Sequence, residues 1–332
     1  MNRQLLGRAL VATLVVYAVG VLVTGFFWDH EPDAFDVRAR AEARAAAMDR
    51  ELVTGFTTTS TLIELGETLL GKRGGFLSND VFPPGVLMDN VPNWEFGVLV
   101  QIRDLARVMR NDLSRSQSQS AEDPDLSIAE GRFYFDNSSW ILPRSEDEYR
   151  AGIVLLERYL ERMSDPAGRD ARFYARADNL RAWLGAMQTR LGSLSQRLSA
   201  AAGKRALDLR PAEASGNRQE PETGASGVDG EQTPWLLIDD VFYEARGQTW
   251  ALLHLLRAAE TDFADVLQSK NALISLRQII RDLEPTQETV WSPAILNGNG
   301  FGLLANHSLV MASHIARANA AIIDLGRLLE DG

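Results

Sequence analysis

The sequence contains no cysteine, and only three of its 34 basic residues are lysine. The absence of cysteine excludes disulfides, thiol catalysis and cysteine-ligated metal sites, and it fits an oxidising compartment in which the fold does not depend on disulfides. The preference for arginine over lysine indicates a GC-rich genome. An arginine-lined anion site is the alternative interpretation.

Positive charge is scarce overall, because 45 acidic residues against 34 basic ones give a formal net charge of −11. Arg3 and Arg8 are the only charged residues among the first 28, so the negative excess lies entirely beyond residue 28. An acidic domain repels nucleic acid and anionic lipid headgroups. We therefore expect no nucleic-acid partner.

Long apolar runs are absent with one exception, residues 9–28, which contain no charged side chain. A helix of this length spans about 30 Å, the thickness of the bilayer hydrocarbon. Arginines precede the run and acidic residues follow it, so residues 1–8 are predicted as a cytoplasmic tail. The sequence thus predicts one transmembrane helix at 9–28 that leads to a periplasmic domain in the bacterial inner membrane.

A cleaved signal peptide is the competing interpretation of this run. Signal peptides have an apolar region of about 7–15 residues that ends in a small-x-small cleavage site. The run here is longer, and it ends in Phe26, Phe27 and Trp28, which are typical of an aromatic belt at the far membrane interface. These features favour a retained anchor.

The rest of the chain has helical periodicity and predicts an all-α fold with two helical units. The first unit, residues 33–113, has predicted helices at about 34–52, 57–70 and 93–113. Residues 203–233 contain no aromatic residue and are predicted as a disordered linker. The second unit, residues 234–330, has predicted helices at about 234–267, 272–283 and 303–329.

Residues 126–200 are predicted as an irregular aromatic segment followed by an antiparallel helical hairpin of coiled-coil character. Apolar residues recur there at 4–3 spacing in two seams: Tyr149, Ile153, Leu156, Leu160 and Met163, then Phe173, Ala177, Leu180, Leu184, Met187, Leu191, Leu194 and Leu198. Two interpretations stay open. Either both seams face the domain core, or the hairpin projects as an arm that binds a partner.

Three short segments recur in the same order in the two units, which suggests an internal repeat. Residues 81–87 (VFPPGVL) match 290–296 (VWSPAIL), and the FGVL that begins at Phe96 matches the FGLL that begins at Phe301. LIEL at Leu62 likewise matches LISL at Leu273. The hypothesis is a pseudo-symmetric pair of packed helix–loop–helix units, at about 57–113 and 270–329.

No catalytic motif is present, and we expect neither a catalytic residue nor a cofactor. His307 and His314 share one helix face and are weak candidates for a metal or pH-sensing site, but a pair of core-edge histidines is the simpler interpretation. Asp239, Asp240 and Glu244 cluster early in a helix, where acids favour the positive helix N-terminus without any catalytic role.

The two irregular loops are the better candidates for binding a ligand or a partner, because long loops inside helical domains are usually functional or strongly packed. Each loop places aromatic side chains beside proline. The alternative is that these aromatics fill the core between helices. The candidate residues are Phe82, Pro83 and Trp94 in the first loop, and Trp291, Pro293 and Phe301 in the second.

The anchor, the segment FYFDNSSWILP at 133–143 and the segment WSPAILNGNGFG that begins at Trp291 together resemble a known group. The chain is similar to a family of uncharacterised proteobacterial single-pass inner-membrane proteins, classed as a domain of unknown function. The resemblance covers most of the chain apart from 203–233. It implies a bacterial source and a periplasmic domain, and it brings no catalytic residues.

These observations predict a membrane-anchored, non-enzymatic scaffold or accessory subunit with a protein partner in the cell envelope. A transmembrane sensor is disfavoured because a tail of about eight residues holds no output domain. Two alternatives stay open. One is a periplasmic ligand-binding domain that uses the aromatic loops, and the other is an unrecognised hydrolase of cell-wall or lipid substrates.

Overall fold

The computed structural model describes residues 3–116, 121–167, 170–201, 238–290, 295 and 307–331. All regular secondary structure in these ranges is helical, which confirms the all-α prediction. The α-helices are α1 Arg3–Trp28, α2 Val37–Ala47, α3 Phe56–Gly71, α4 Asn90–Val108, α5 Pro124–Phe133, α6 Ser145–Ser164, α7 Ala177–Ala201, α8 Ile238–Asp262, α9 Ala264–Ser269, α10 Leu273–Leu283 and α11 His307–Asp331.

Aspartates cap several of these helices and explain where they begin. Asp36 accepts a hydrogen bond from the backbone N–H of Ala39 at the start of α2. Asp89 caps α4, which begins three residues before the predicted start at Asn93. Pro92 therefore falls in the first turn of α4, where its missing N–H has no helical partner to lose.

The start of α3 receives its cap from another helix. Gly55 precedes α3 and offers no side chain, but Asp262 at the end of α8 accepts a hydrogen bond from the backbone N–H of Thr58 at 2.6 Å. A carboxylate also stabilises the positive end of the helix dipole. This contact ties the beginning of α3 to the end of α8.

Helix α8 lies at the centre of the domain and packs against α3, α4, α7 and α10. Its crossing with α4 is especially close, because Gly97 of α4 and Gly247 of α8 face each other. A Cβ at Gly97 would lie 2.2 Å from the carbonyl oxygen of Glu244, and one at Gly247 would lie 2.0 Å from that of Trp94. Only glycine allows the two backbones to approach this closely.

The predicted seams are buried, but the predicted hairpin is wrong in its pairing. The seam residues of α6 and α7 lie in the core, apart from the partly buried Ala177, but α6 packs on α3 and α5, and α7 packs on α11. A 3.5-residue period shows that one face of a helix is buried without showing which helix covers it. The structure therefore favours core-facing seams over a projecting arm.

Among the described residues, the two units of the predicted repeat do not pack directly against each other, because α8 lies between them and contacts α3, α4 and α10. Their long helices also have different partners, since α4 packs on α8 and α11 packs on α7. The second loop lies outside the described residues, and so does the predicted linker 203–233. Buried side chains from α2 to α11 form a single contiguous core.

Candidate functional site

Residues 29–36 leave α1 and are held by the core of the domain at two points. The first is Arg246 of α8, whose Nε and Nη2 donate to the two oxygens of Glu31 at 2.8 and 2.6 Å. Its Nη1 also donates to the carbonyl oxygens of Thr286 and Glu288. Because Arg246 is only 7% exposed, this bidentate pair is largely shielded from water.

The second point is His254, which is fully buried on α8. Its Nε2 accepts a hydrogen bond from the backbone N–H of Phe35 at 3.0 Å, and its Nδ1 lies 2.7 Å from the carbonyl oxygen of Trp250. These contacts require the neutral tautomer with the proton on Nδ1. The ring of Phe35 stacks on the imidazole at 4.0 Å, so backbone and ring both fix this segment.

Acidification is expected to loosen this contact, because burial lowers the pKa of His254 from 6.5 to about 4. The unfolded chain takes up a proton below pH 6.5, and the folded chain does so only near pH 4. Stability is therefore complete above pH 6.5 and falls as the pH drops towards 4, by about 3 kcal/mol in total.

Denaturant unfolding of the full-length protein at pH 7.5, 6, 5 and 4 measures this loss. The His254→Gln variant is the control, since glutamine accepts the hydrogen bond from Phe35 and does not titrate. It should show a smaller loss across the same range. An equal loss in both proteins would contradict the assignment and attribute the pH dependence to other groups.

Two loops expose apolar side chains, and the first of them lies beside the end of α1. In the first apolar loop, residues 81–87, Phe82 is 75% exposed and Leu87 is 71% exposed. In the second apolar loop, residues 139–143, Leu142 is 90% exposed, and Trp140 and Ile141 are more than half exposed. Each loop contains one cis peptide bond before proline, at Pro84 and at Pro143. Apolar side chains grouped in this way indicate a contact surface.

The first apolar loop lies against the end of α1. A Cβ at Gly25 would be 3.4 Å from the Cβ of Pro84, and one at Gly74 would touch the ring of Trp28 at 2.8 Å. A groove runs between α1 and the loop, and its lining residues are Val21, Leu22, Gly25, Phe26, Asp29, Pro84, Leu87, Met88, Asp89 and Asn90. The loop therefore extends back along the apolar helix and not away from it.

A buried ion pair holds the base of the first apolar loop. The Nζ of Lys72 lies 2.6 Å from Oε1 of Glu95, and both side chains are almost completely buried. Glu95 also accepts hydrogen bonds from the backbone N–H groups of Leu77 and Ser78 at 2.8 Å. Burial raises the pKa of Glu95, although Lys72 and these donors oppose that shift. The carboxylate of Glu95 thus fixes the backbone that leads into the first apolar loop.

Asn79 joins the two apolar loops to each other. Its Nδ2 donates to the carbonyl oxygen of Ser139 at 2.8 Å and to Oε2 of Glu146 at 2.7 Å. Ser145 adds a second link within the same region, because its Oγ donates to the carbonyl oxygens of Asp136 and Ser139. The two loops are therefore fixed relative to one another.

The three candidate residues predicted for the loop before α4, Phe82, Pro83 and Trp94, differ in how far the structure exposes them. Phe82 and Pro83 are exposed, whereas Trp94 is fully buried, with its ring 5.1 Å from that of Trp250. Trp94 therefore matches the alternative prediction of an aromatic that fills the core. Trp291, Pro293 and Phe301 lie outside the described residues.

His307 and His314, the weak candidates for a metal or pH-sensing site, lie on the same helix, α11, as predicted, but different side chains surround each of them. His307 lies near the ring of Phe242, with ring centroids 6.2 Å apart, and Nδ1 of His314 is 2.7 Å from Nη2 of Arg317. A guanidinium beside an imidazole disfavours a bound cation. Within the described part of the chain, no three His, Cys, Asp or Glu side chains converge as metal ligands would.

The acidic cluster on α8 is occupied by other side chains. Both oxygens of Glu244 accept from the guanidinium of Arg197 at 2.5 and 2.7 Å, and Gln248 donates to the same carboxylate. Asp240 accepts from Nδ2 of Asn93 at 2.7 Å, and burial raises its pKa. These contacts explain the acids as links between helices.

Sequence reasoning missed the two buried ion pairs. Lys72 was one of three lysines in an arginine-rich chain, and Arg246 was a charge inside a mostly apolar helix, so each carried a weak signal. The partner of Arg246 is 215 residues away, and no local pattern identifies a contact over that distance.

A profile of one bacterial protein family matches residues 2–332, which is nearly the whole chain. The chain belongs to the family DUF2333. This family is described as an uncharacterised protein conserved in bacteria, which confirms the resemblance to a bacterial family of unknown function. No match to the chain was found among curated proteins or among solved structures. Membership of DUF2333 supplies no catalytic residue, so function must be argued from the geometry.

Proposed function

We propose that this chain is a non-enzymatic bacterial inner-membrane protein whose helical domain lies on the periplasmic side. In this proposal the domain serves as a scaffold or accessory subunit of a cell-envelope complex and binds an envelope protein. The observation that carries the proposal is the attachment of residues 29–36 to the core. The chain leaves α1 and enters the domain within three residues, at Glu31, without a free linker between them.

The chemistry of α1 supports the anchor. The most apolar 18 residues within Gly7–Trp28 have a mean hydropathy of 2.3, and this is the one helix of the described chain that is long and apolar enough to cross a membrane. None of its most apolar stretch is buried against the domain. A soluble protein rarely exposes so much contiguous apolar surface, whereas a bilayer would cover it.

Contacts at the end of α1 favour a retained helix over a cleaved signal peptide. A signal peptidase needs an accessible, extended segment after the apolar run. Here Trp28 packs on Gly74, Glu31 is held by Arg246, and Phe35 is held by His254. Arg3 and Arg8 before the apolar run and the acidic residues after it support a cytoplasmic N-terminus.

A non-enzymatic role is supported by the pairing of charged side chains. Glu244, the best acid for a hydrolase, forms a bidentate pair with Arg197 and is not available as a general base. The remaining alternative, a ligand-binding domain, depends on the predicted loops around Phe82 and Trp291. Of these, Trp291, Pro293 and Phe301 lie outside the described residues. The scaffold proposal instead rests on a domain held rigidly at the membrane.

One membrane preparation tests both parts of the proposal. We expect the full-length chain, produced in bacteria, to keep its complete intact mass and to stay in the pellet after alkaline carbonate extraction. A protein with α1 removed or a carbonate-soluble protein would contradict the anchor. In a mild detergent extract, native electrophoresis should show the chain in a complex with another envelope protein. Migration as the chain alone would contradict the scaffold role.

A further inference from the structure

The two apolar loops expose large apolar side chains that the anchor alone does not explain. We propose that the first apolar loop and the second apolar loop insert their side chains into the outer leaflet of the bilayer that α1 spans. This inference rests on the proposed anchor and extends it, since the domain would bind the lipid surface directly in addition to being attached to the transmembrane helix α1. The partner is a lipid surface, not a protein.

The position of the first apolar loop carries this inference. Leu87 lines a groove with Val21 and Leu22 of α1, and Val21 lies seven residues before Trp28 at the end of the helix. Seven helical residues correspond to about 10 Å along the axis. If Trp28 marks the interface, the groove that Leu87 and Pro84 line extends to a depth typical of interfacial membrane segments.

The second apolar loop extends the same surface. Asn79 connects the second apolar loop to the base of the first apolar loop through the carbonyl oxygen of Ser139, and from this connection we infer that both loops face the membrane. Trp140 suits this role, because tryptophan is enriched where hydrocarbon meets headgroups. Leu142, which is 90% exposed, has no apolar environment unless the bilayer supplies one.

Charge around the loops indicates how they would bind. Asp80 and Asp89 flank the first apolar loop. Asp136 and Glu146 flank the second, together with Arg144, which is paired with Asp147. Acidic residues are repelled by anionic headgroups, so attraction to anionic lipid does not drive the contact. Burial of apolar side chains drives it instead, and insertion should not depend on anionic lipid.

The absence of cysteine allows a direct test with the full-length protein. Single variants Phe82→Cys and Leu142→Cys are labelled with an environment-sensitive fluorophore and reconstituted into phosphatidylcholine vesicles that carry nitroxides on their acyl chains. We expect blue-shifted emission, with strong quenching by nitroxides near the headgroups. Adding phosphatidylglycerol should leave both signals unchanged.

Two further positions make the outcomes distinct. Ile274→Cys is the matched control, because Ile274 is as exposed as Phe82. Ile274 lies at the start of α10. The other end of this helix, about 15 Å away along the axis, leads to the carbonyl oxygens that Arg246 binds. A label on residue 274 should therefore stay in water. Val16→Cys, in the middle of α1, reports the anchor through quenching by deep nitroxides.

Each result supports or overturns a defined statement. Deep quenching at residue 16 with water-like labels at 82 and 142 overturns loop insertion and leaves the anchor intact. A water-like label at residue 16 overturns the anchor itself. The same labelled variants are also placed in nanodiscs that hold one protein each. If the shielding at residues 82 and 142 disappears there, a second copy of the chain covers the loops in vesicles, and the lipid contact is overturned. A signal that appears only with phosphatidylglycerol overturns the apolar mechanism.

Discussion

Replacement of Gly97 or Gly247 by alanine is expected to destabilise the domain by about 3 kcal/mol or more, at the upper end of the range for overpacked cores. The new Cβ would meet backbone atoms within 2.2 Å at either position, and backbone atoms cannot rotate away as a side chain can. Helices α4 and α8 would have to separate. Total stability of such domains is about 5–15 kcal/mol, so a large share would be lost.

Thermal unfolding followed by tryptophan fluorescence measures this effect, because Trp94 and Trp250 lie at the crossing. Gly185→Ala is the matched control. Gly185 is also inside a helix, but a Cβ there meets nothing within 4 Å, so alanine should stabilise the protein by about 0.5–1 kcal/mol.

The Gly97→Ala/Gly247→Ala double variant sharpens the test. Either substitution alone forces the helices apart, so the second should add much less than the first, and the two effects should not be additive. Additive losses would show that the two glycines act independently. Single variants as stable as the unchanged protein would contradict the close crossing itself.

Removal of Lys72 is expected to have the second large effect. Lys72→Met leaves the buried carboxylate of Glu95 without its cation, and breaking a buried pair in this way typically costs about 3–5 kcal/mol. Glu95 would still accept from the backbone at Leu77 and Ser78, but these bonds do not neutralise its charge. The base of the first apolar loop should therefore loosen.

The pH dependence separates lost charge from lost packing. Burial already raises the pKa of Glu95, and without Lys72 that pKa rises further, so Glu95 in the variant takes up a proton more readily as the pH falls. The destabilisation should be full at pH 8 and smaller at pH 5. Equal losses in melting temperature at both values would contradict the charge argument.

Two variants complete the comparison for Lys72. Lys72→Met/Glu95→Gln removes both charges and keeps one acceptor for the loop, so it should recover part of the stability. Lys270→Met replaces a lysine outside the core and should change stability by less than about 0.5 kcal/mol. A loss at Lys270 equal to that at Lys72 would show that burial of the pair is not the cause.

Local patterns predicted much of the helical content, for identifiable reasons. The apolar run that ends at Trp28 is visible without any partner, and the seam from Leu180 to Leu198 records one buried face. Helix α5 was not predicted, because residues 126–143 were expected to be irregular, although Asp123 caps this helix and Pro124 occupies its first position.

Pairing between distant segments could not be predicted from those patterns. The period of α7 is equally compatible with α6 and with α11, and only the structure identifies α11 as its partner. Local patterns also could not show which aromatic side chains are exposed. Phe82 and Trp94 both follow turn-forming residues, yet one is exposed and the other is buried against Trp250, because α4 begins at Asn90 and places Trp94 on its inner face.

The pairing of α4 with α8 has a consequence for biosynthesis. Gln101 and Gln248, which meet across this crossing, are 147 positions apart, and a ribosome needs about 7–30 seconds to add that many residues. During this interval the face of α4 that packs on α8 has no cover, and α7 waits longer still for α11. Non-local pairing is slow in any case. We therefore expect apolar surface in the first half of the chain to stay exposed until α8 and α11 have been made, so folding is completed only by the last third of the protein.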